Sequence, residues 1–221
     1  MVSKSKAVFE AIWDQDDDRL LAAISEGGDP NAEFEGKPAL VWAVEAGRTT
    51  VVILLDAGAN VNDADSTGTT AISAAAFDGS EEIVSLLIDR GADVRKPDHD
   101  GCTPLMNAAK SGSITVVKLL ANAGAIVDER DGDHQTALMW AAMRGDYPDL
   151  VPVIIAMGAD PNAIGGPRQW TPLMMAIALG HTKTAVALLN CGANVDLSND
   201  RGETARGLAD ASDDPSIKAM L

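Results

Sequence analysis

The stretch DGCTPLMNAAKSG at residues 100–112 places a cysteine after a glycine and before a helix-like run, where a nucleophile or a metal ligand could sit. A catalytic thiol needs a base held beside it, and the sequence fixes none next to Cys102. The three histidines, His99, His134 and His181, have no metal-site spacing, and the one thiol near the first two is Cys102. A zinc site takes three or four ligands, so no metal is expected. Asp14, Asp16, Asp17 and Asp18 suggest calcium, yet the segment lacks the glycine and closing glutamate of a calcium hand. These carboxylates are expected to cap a helix and favour its positive N-terminal end. No Gly-rich phosphate loop, nucleophile elbow or His-Glu zinc motif is present. The expectation is a chain without catalytic residues, cofactor or metal, and not an enzyme.

The elements around Cys102 recur. Thr70, Thr103, Thr136, Thr171 and Thr204 stand 33, 33, 35 and 33 residues apart. The pairs Gly58-Ala59, Gly91-Ala92, Gly124-Ala125, Gly158-Ala159 and Gly192-Ala193 follow at 33, 33, 34 and 34. Ala75-Ala76, Ala108-Ala109 and Ala141-Ala142 keep the same register, as do Gly79, Gly112, Gly145 and Gly180. A fixed period of this length marks a stacked-repeat architecture. Cys102 fills the variable position before a repeating threonine, where other units carry Lys37, Thr69, Gln135, Trp170 and Glu203. Those residues share no chemistry, so a structural role is expected for the cysteine.

Within a unit, Leu105, Ala108 and Ala109 form one face of a short helix whose alanines admit a close neighbour. Thr103-Pro104 opens it, with a capping hydroxyl and a proline whose missing N–H is harmless at the first helical position. Gly112 ends it. Val116, Val117, Leu119, Leu120 and Ala123 make a second helix, and Gly124 supplies the left-handed turn after it. Neither helix can bury its apolar face alone, so successive units must share one elongated core.

The segments TPLMNAAKSG, TALMWAAMRG and TPLMMAIALG, with GANVND, GADVRK, GADPNA and GANVDL, resemble the ankyrin repeat family over nearly the whole chain. The resemblance implies an all-α solenoid of stacked helix pairs joined by β-hairpin or turn loops. The expected division is a divergent N-terminal capping repeat at 1–35 and full repeats at 36–67, 68–100, 101–133, 134–168 and 169–201. A truncated C-terminal capping repeat takes 202–221. Val41, Ser73, Met106, Met139 and Met174 replace the family histidine, which removes its hydrogen bond between repeats. His134 and Gln169 replace a hairpin glycine, so altered turn geometry is expected there. Insertions in GDYPDL and NAIGGPRQW, with Pro152, concentrate irregularity between residues 145 and 170.

Thirty-three acids against seventeen bases give a formal charge of −16, which argues against binding a phosphate backbone, so no nucleic acid partner is expected. Residues 1–100 hold 20 acids and 8 bases, and residues 101–221 hold 13 and 9. Two cysteines 89 positions apart show no disulfide framework, and the start carries no secretory pattern. No uncharged run is long enough to span a bilayer. A cytoplasmic monomer with no membrane contact is expected.

The resemblance implies a non-enzymatic interaction module or scaffold that binds a protein partner on its concave face, made of hairpin tips and first helices. The acidic balance points to a basic partner. By register, the hairpin candidates are Phe34, Lys37, His99, Asp133, Arg168 and Trp170. Those on the first helices are Glu45, Phe77, Asp78, Lys110, Met143, Arg144 and Leu179. Phe77, Met143 and Trp170 are apolar where solvent is expected, and an exposed Trp beside an Arg has hot-spot composition. The inserted GGPRQ could instead fold back over Trp170. Trp42 and Trp140, before the first alanine of the pair, are expected in the core. An alternative function is an acidic inhibitor or immunity-type protein that blocks a basic enzyme such as a nuclease.

Overall fold

The computed structural model describes residues 2–212 and 215–219 as an array of short antiparallel helix pairs. The first pair is α1 (Val2–Trp13) with α2 (Asp17–Ser25), followed by α3 (Ala39–Ala46) with α4 (Arg48–Asp56). Next come α5 (Ala71–Phe77) with α6 (Glu81–Asp89), α7 (Pro104–Ser111) with α8 (Ile114–Asn122), and α9 (Ala137–Arg144) with α10 (Leu150–Ala156). The series closes with α11 (Pro172–Ala178) and α12 (Thr182–Asn190), then α13 (Ala205–Ala211) and α14 (Pro215–Lys218). The odd-numbered helices from α1 to α13 stack in sequence as one layer, and α2 to α12 stack as the other. No described helix is long and apolar enough to cross a membrane.

Small side chains set how closely the first layer packs. Ala75, Ala76, Ala108, Ala109, Ala141 and Ala142 are fully buried, and Leu87, Leu105, Leu120 and Leu138 fill the space between the layers. Met106, Met139 and Met174 lie in that core, where the family histidine is absent. One of them does more than fill volume: the Met106 sulfur accepts the Thr103 amide N–H at 3.4 Å.

Local chemistry starts and stops the helices. The hydroxyls of Thr70, Thr103, Thr136, Thr171 and Thr204 each accept the amide N–H three residues on, which caps α5, α7, α9, α11 and α13. Asp16 caps α2 in the same way, accepting from the Arg19 amide at 3.0 Å. Asp17 of that cluster accepts from the Thr50 hydroxyl at 2.8 Å and ties the first unit to the second.

Among the described residues one connection forms a strand pair, β1 (Glu33–Phe34) with β2 (Lys37–Pro38). Of the other connections, three carry isolated bridges, at Ala64 with Thr70, Gly165 with Trp170 and Ser198 with Thr204. In most turns an acidic or amide side chain replaces the strand ladder. Asp65, Asp98, Asp131 and Asn199 each accept the amides two and four residues on.

The expected change of turn geometry at His134 and Gln169 does not occur. Their φ values are 61° and 53°, in the left-handed region that Gly36, Gly68, Gly101 and Gly202 occupy at the same register. The surrounding hydrogen bonds hold these side-chain-bearing residues in a conformation that costs about 1 kcal/mol or more. The real departure lies at Gly145, which is extended at φ −173° while Gly112 is left-handed at 79°. Tyr147, from the insertion, lies across both. A Cβ on Gly112 or Gly145 would fall 2.7 or 2.6 Å from its ring.

Candidate functional site

In three units the hairpin residue just before the helix start and the first-helix residue eight positions later meet on one face. Lys37 pairs with Glu45 at 3.0 Å, the Lys110 ammonium lies 2.9 Å from the Cys102 sulfur, and the Gln135 amide lies 3.5 Å from the Met143 sulfur. This recurrence arises because the turn folds back over the outward row of its own helix. The face therefore runs along α3, α5, α7, α9 and α11 with their hairpins.

Three tryptophans line it, and each carries a cation. Lys37 sits 3.9 Å above the Trp42 ring, Lys110 3.9 Å above Trp140, and the Arg168 guanidinium 4.7 Å above Trp170. Arg144 adds a second cation over Trp140 at 5.7 Å. The core expectation for Trp42 and Trp140 is thus corrected: both are half-buried, with one edge on the core and one face under a lysine. The indole N–H of Trp140 donates to Asp131 at 2.8 Å, whereas that of Trp42 is buried without a partner among the described residues.

Met143 and Trp170 are half-buried too, so the expectation of two solvent-exposed apolar anchors needs revision. The 163–169 insertion accounts for part of this cover. Gly165 and Trp170 exchange backbone hydrogen bonds at 3.1 and 3.0 Å, and Arg168 folds over the ring. The Trp170 N–H donates to Glu203 of the next unit at 2.9 Å. That bond, with a second from Asn199, holds the Glu203 carboxyl below its ordinary pKa.

Phe77 and Leu179 are the freely exposed apolar side chains of the first-helix row, each 53% accessible. Phe34 is also exposed but belongs to a separate aromatic cluster at the N-terminal end, with Phe9 at 5.7 Å and Trp13 at 4.8 Å. Lys37, Glu45 and Asp78 form a charged group. Burial first, and the Glu45 charge second, push the Asp78 carboxyl above its usual pKa.

Cys102 is buried, which agrees with a structural role, although Lys110 and Asn107 contact its sulfur. Burial outweighs the lysine and raises the thiol above its ordinary pKa of 9.0. The group stays protonated at neutral pH and is a poor nucleophile.

Two cavities open side by side on this face. The first, about 550 Å³, lies between the hairpins around Asp98–Asp100 and Asp131–Asp133, with Lys110 and Trp140 in its wall and His99 and Asp133 exposed at its rim. The second, about 270 Å³, is enclosed by Gln135, Met143, Gly165, Gly166, Pro167, Arg168, Trp170, Met175 and Leu179. Sequence register found Met143, Arg168, Trp170 and Leu179 singly. It also put Gln135 at a hairpin tip, but missed Met175 and Glu203, because Met175 is buried on α11 and Glu203 joins from the following unit. A further apolar opening lies on the opposite layer, bounded by Pro148, Pro152, Val186 and Cys191.

Comparison with known proteins gives a consistent assignment. A family model described as ankyrin repeats (3 copies) matches residues 8–98, 91–165 and 138–217. A 58-residue segment is 40% identical to the phosphate system positive regulatory protein PHO81 of Saccharomyces cerevisiae. That segment is 26% of this chain, and it spans only 5% of the yeast protein.

Proposed function

Because the chain belongs to the ankyrin repeat family, whose repeats are general protein–protein interaction modules, we propose that it binds a protein partner on its hairpin and first-helix face. The observation that carries this reading is the composition of that face. Exposed Phe77 and Leu179 alternate with tryptophans that are rigid, half-buried and stacked under cations. Aromatic and arginine side chains held in this way concentrate binding energy at protein interfaces.

The net charge of −16, concentrated in residues 1–100, favours a basic partner and steers it toward the N-terminal units. The test is differential capture from the source cell's lysate, with wild type beside a Phe77→Glu, Leu179→Glu variant. Both positions are solvent-exposed, so the variant is expected to keep wild-type circular dichroism. A partner retained by wild type and lost by the variant supports the reading, and its association should slow as ionic strength rises. Partners held equally by both proteins would move binding to another face.

A further inference from the structure

The two neighbouring cavities on the first-helix face differ in character, and together they specify a ligand more narrowly than the general binding reading does. The smaller is apolar: Met143, Met175 and Leu179 surround the edge of Trp170. Its one rim cation, Arg168, is offset by Glu203, whose carboxyl it helps to hold ionised. The larger is polar, and its four aspartates face one lysine. Lys110 is already engaged by Cys102, Asn107 and the Trp140 ring. Asp131 spends its carboxylate on two turn amides and the Trp140 N–H. Asp100 and Asp133 are exposed and have no side-chain partner among the described residues, so they leave an uncompensated negative rim.

The spacing follows from the stack. The polar cavity lies between the units of α7 and α9, and the apolar one between those of α9 and α11, so they are one unit apart. Packed helices lie about 8–10 Å from each other. A peptide in the extended polyproline II conformation rises about 3.1 Å per residue with three residues per turn, so side chains three positions apart lie on one face and cover that step.

Resting on the binding reading above, we infer that this part of the face takes an extended segment of a partner that carries a large apolar side chain three positions from a lysine or arginine. The apolar side chain fills the cavity beside Trp170. The basic side chain enters between Asp100 and Asp133. Charge complementarity selects a cation for the second position, because an acidic side chain would meet unpaired carboxylates there.

The test is selection of phage-displayed random twelve-residue peptides on the full chain. Enriched sequences should place Lys or Arg three positions from Leu, Ile, Met or Phe. Leu179→Glu should weaken the corresponding synthetic peptides by about tenfold or more in fluorescence anisotropy. Asp100→Asn with Asp133→Asn should weaken them by about threefold at low salt, a difference that high salt abolishes. Enrichment without that spacing, no enrichment, or indifference to Leu179→Glu would overturn the inference. Peptides that lack the spacing but lose binding with Phe77→Glu or Leu179→Glu would still leave the broader reading standing. Peptides indifferent to both would count against the two together.

Discussion

Trp42 and Trp140 occupy the same register position in different units, and their surroundings diverge. Each lies half-buried with a lysine ammonium 3.9 Å above the ring. For Trp42 that lysine comes from its own hairpin, and Trp13 of the first unit meets it edge-on at 6.3 Å. For Trp140 the lysine comes from the preceding unit's helix α7, and the N–H is taken by Asp131. The acceptor makes the difference. Asp131 is buried and serves both its turn and the indole, while Glu33, at the same register, lies exposed on β1. A longer side chain in a true strand pair cannot act as the turn-capping aspartate does, and the Trp42 donor is left without a partner among the described residues.

The largest effect is expected from that aspartate. Asp131→Ala removes the acceptor for the Asp133 and Gln135 amides and for the Trp140 N–H. Unfolding by urea should show a loss of about 2–4 kcal/mol. Glu33→Ala, at the exposed equivalent, should change stability by less than about 0.5 kcal/mol. Equal losses would erase the distinction between the two sites.

A smaller effect separates the tryptophans themselves. Trp140→Phe breaks a part-buried hydrogen bond and strands a carboxylate oxygen, whereas Trp42→Phe removes a donor that has no partner among the described residues. The loss for Trp140→Phe should exceed that for Trp42→Phe by about 1–2 kcal/mol in paired denaturation curves. The reverse order would mean that packing against Trp13 outweighs the orphan N–H.

The smallest effect extends the comparison to Trp170, whose acceptor Glu203 is half-buried. The hydrogen bonds from Trp170 and Asn199 depress the Glu203 pKa below its ordinary 4.5. A carboxylate with a depressed folded-state pKa contributes stability above the unfolded value, and the contribution fades as pH falls through the folded one. The stability gap between wild type and Trp170→Phe should therefore be present at neutral pH and shrink below pH 4.5. A gap independent of pH would show that the bond is not coupled to ionisation.

Much of this molecule was readable along the chain because each unit is built from local chemistry. The threonine caps, the prolines of Pro104 and Pro172 at the first helical position, and the left-handed Gly112 and Gly124 all act within a few residues. A period near 33 then implies stacking, since isolated units cannot bury their apolar faces. The outward row of the first helices was legible for the same reason, and Phe77 and Leu179 stand exposed where register puts them.

What register could not supply was the set of contacts made across units and through the insertion. Lys110 reaches forward to Trp140, Trp170 reaches forward to Glu203, and the 163–169 segment encloses a cavity that no single repeat contains. Such contacts depend on how two units pack, which the residues within either one do not encode. Likewise, His134 and Gln169 keep the glycine-like turn because neighbouring bonds over-determine it, against their own backbone preference. The sequence by itself determined the helices, their ends and the stacked array, because those follow from short-range capping and shared apolar faces. The tertiary structure alone decided which side chains share a cavity, because burial and pairing between units are set by three-dimensional packing.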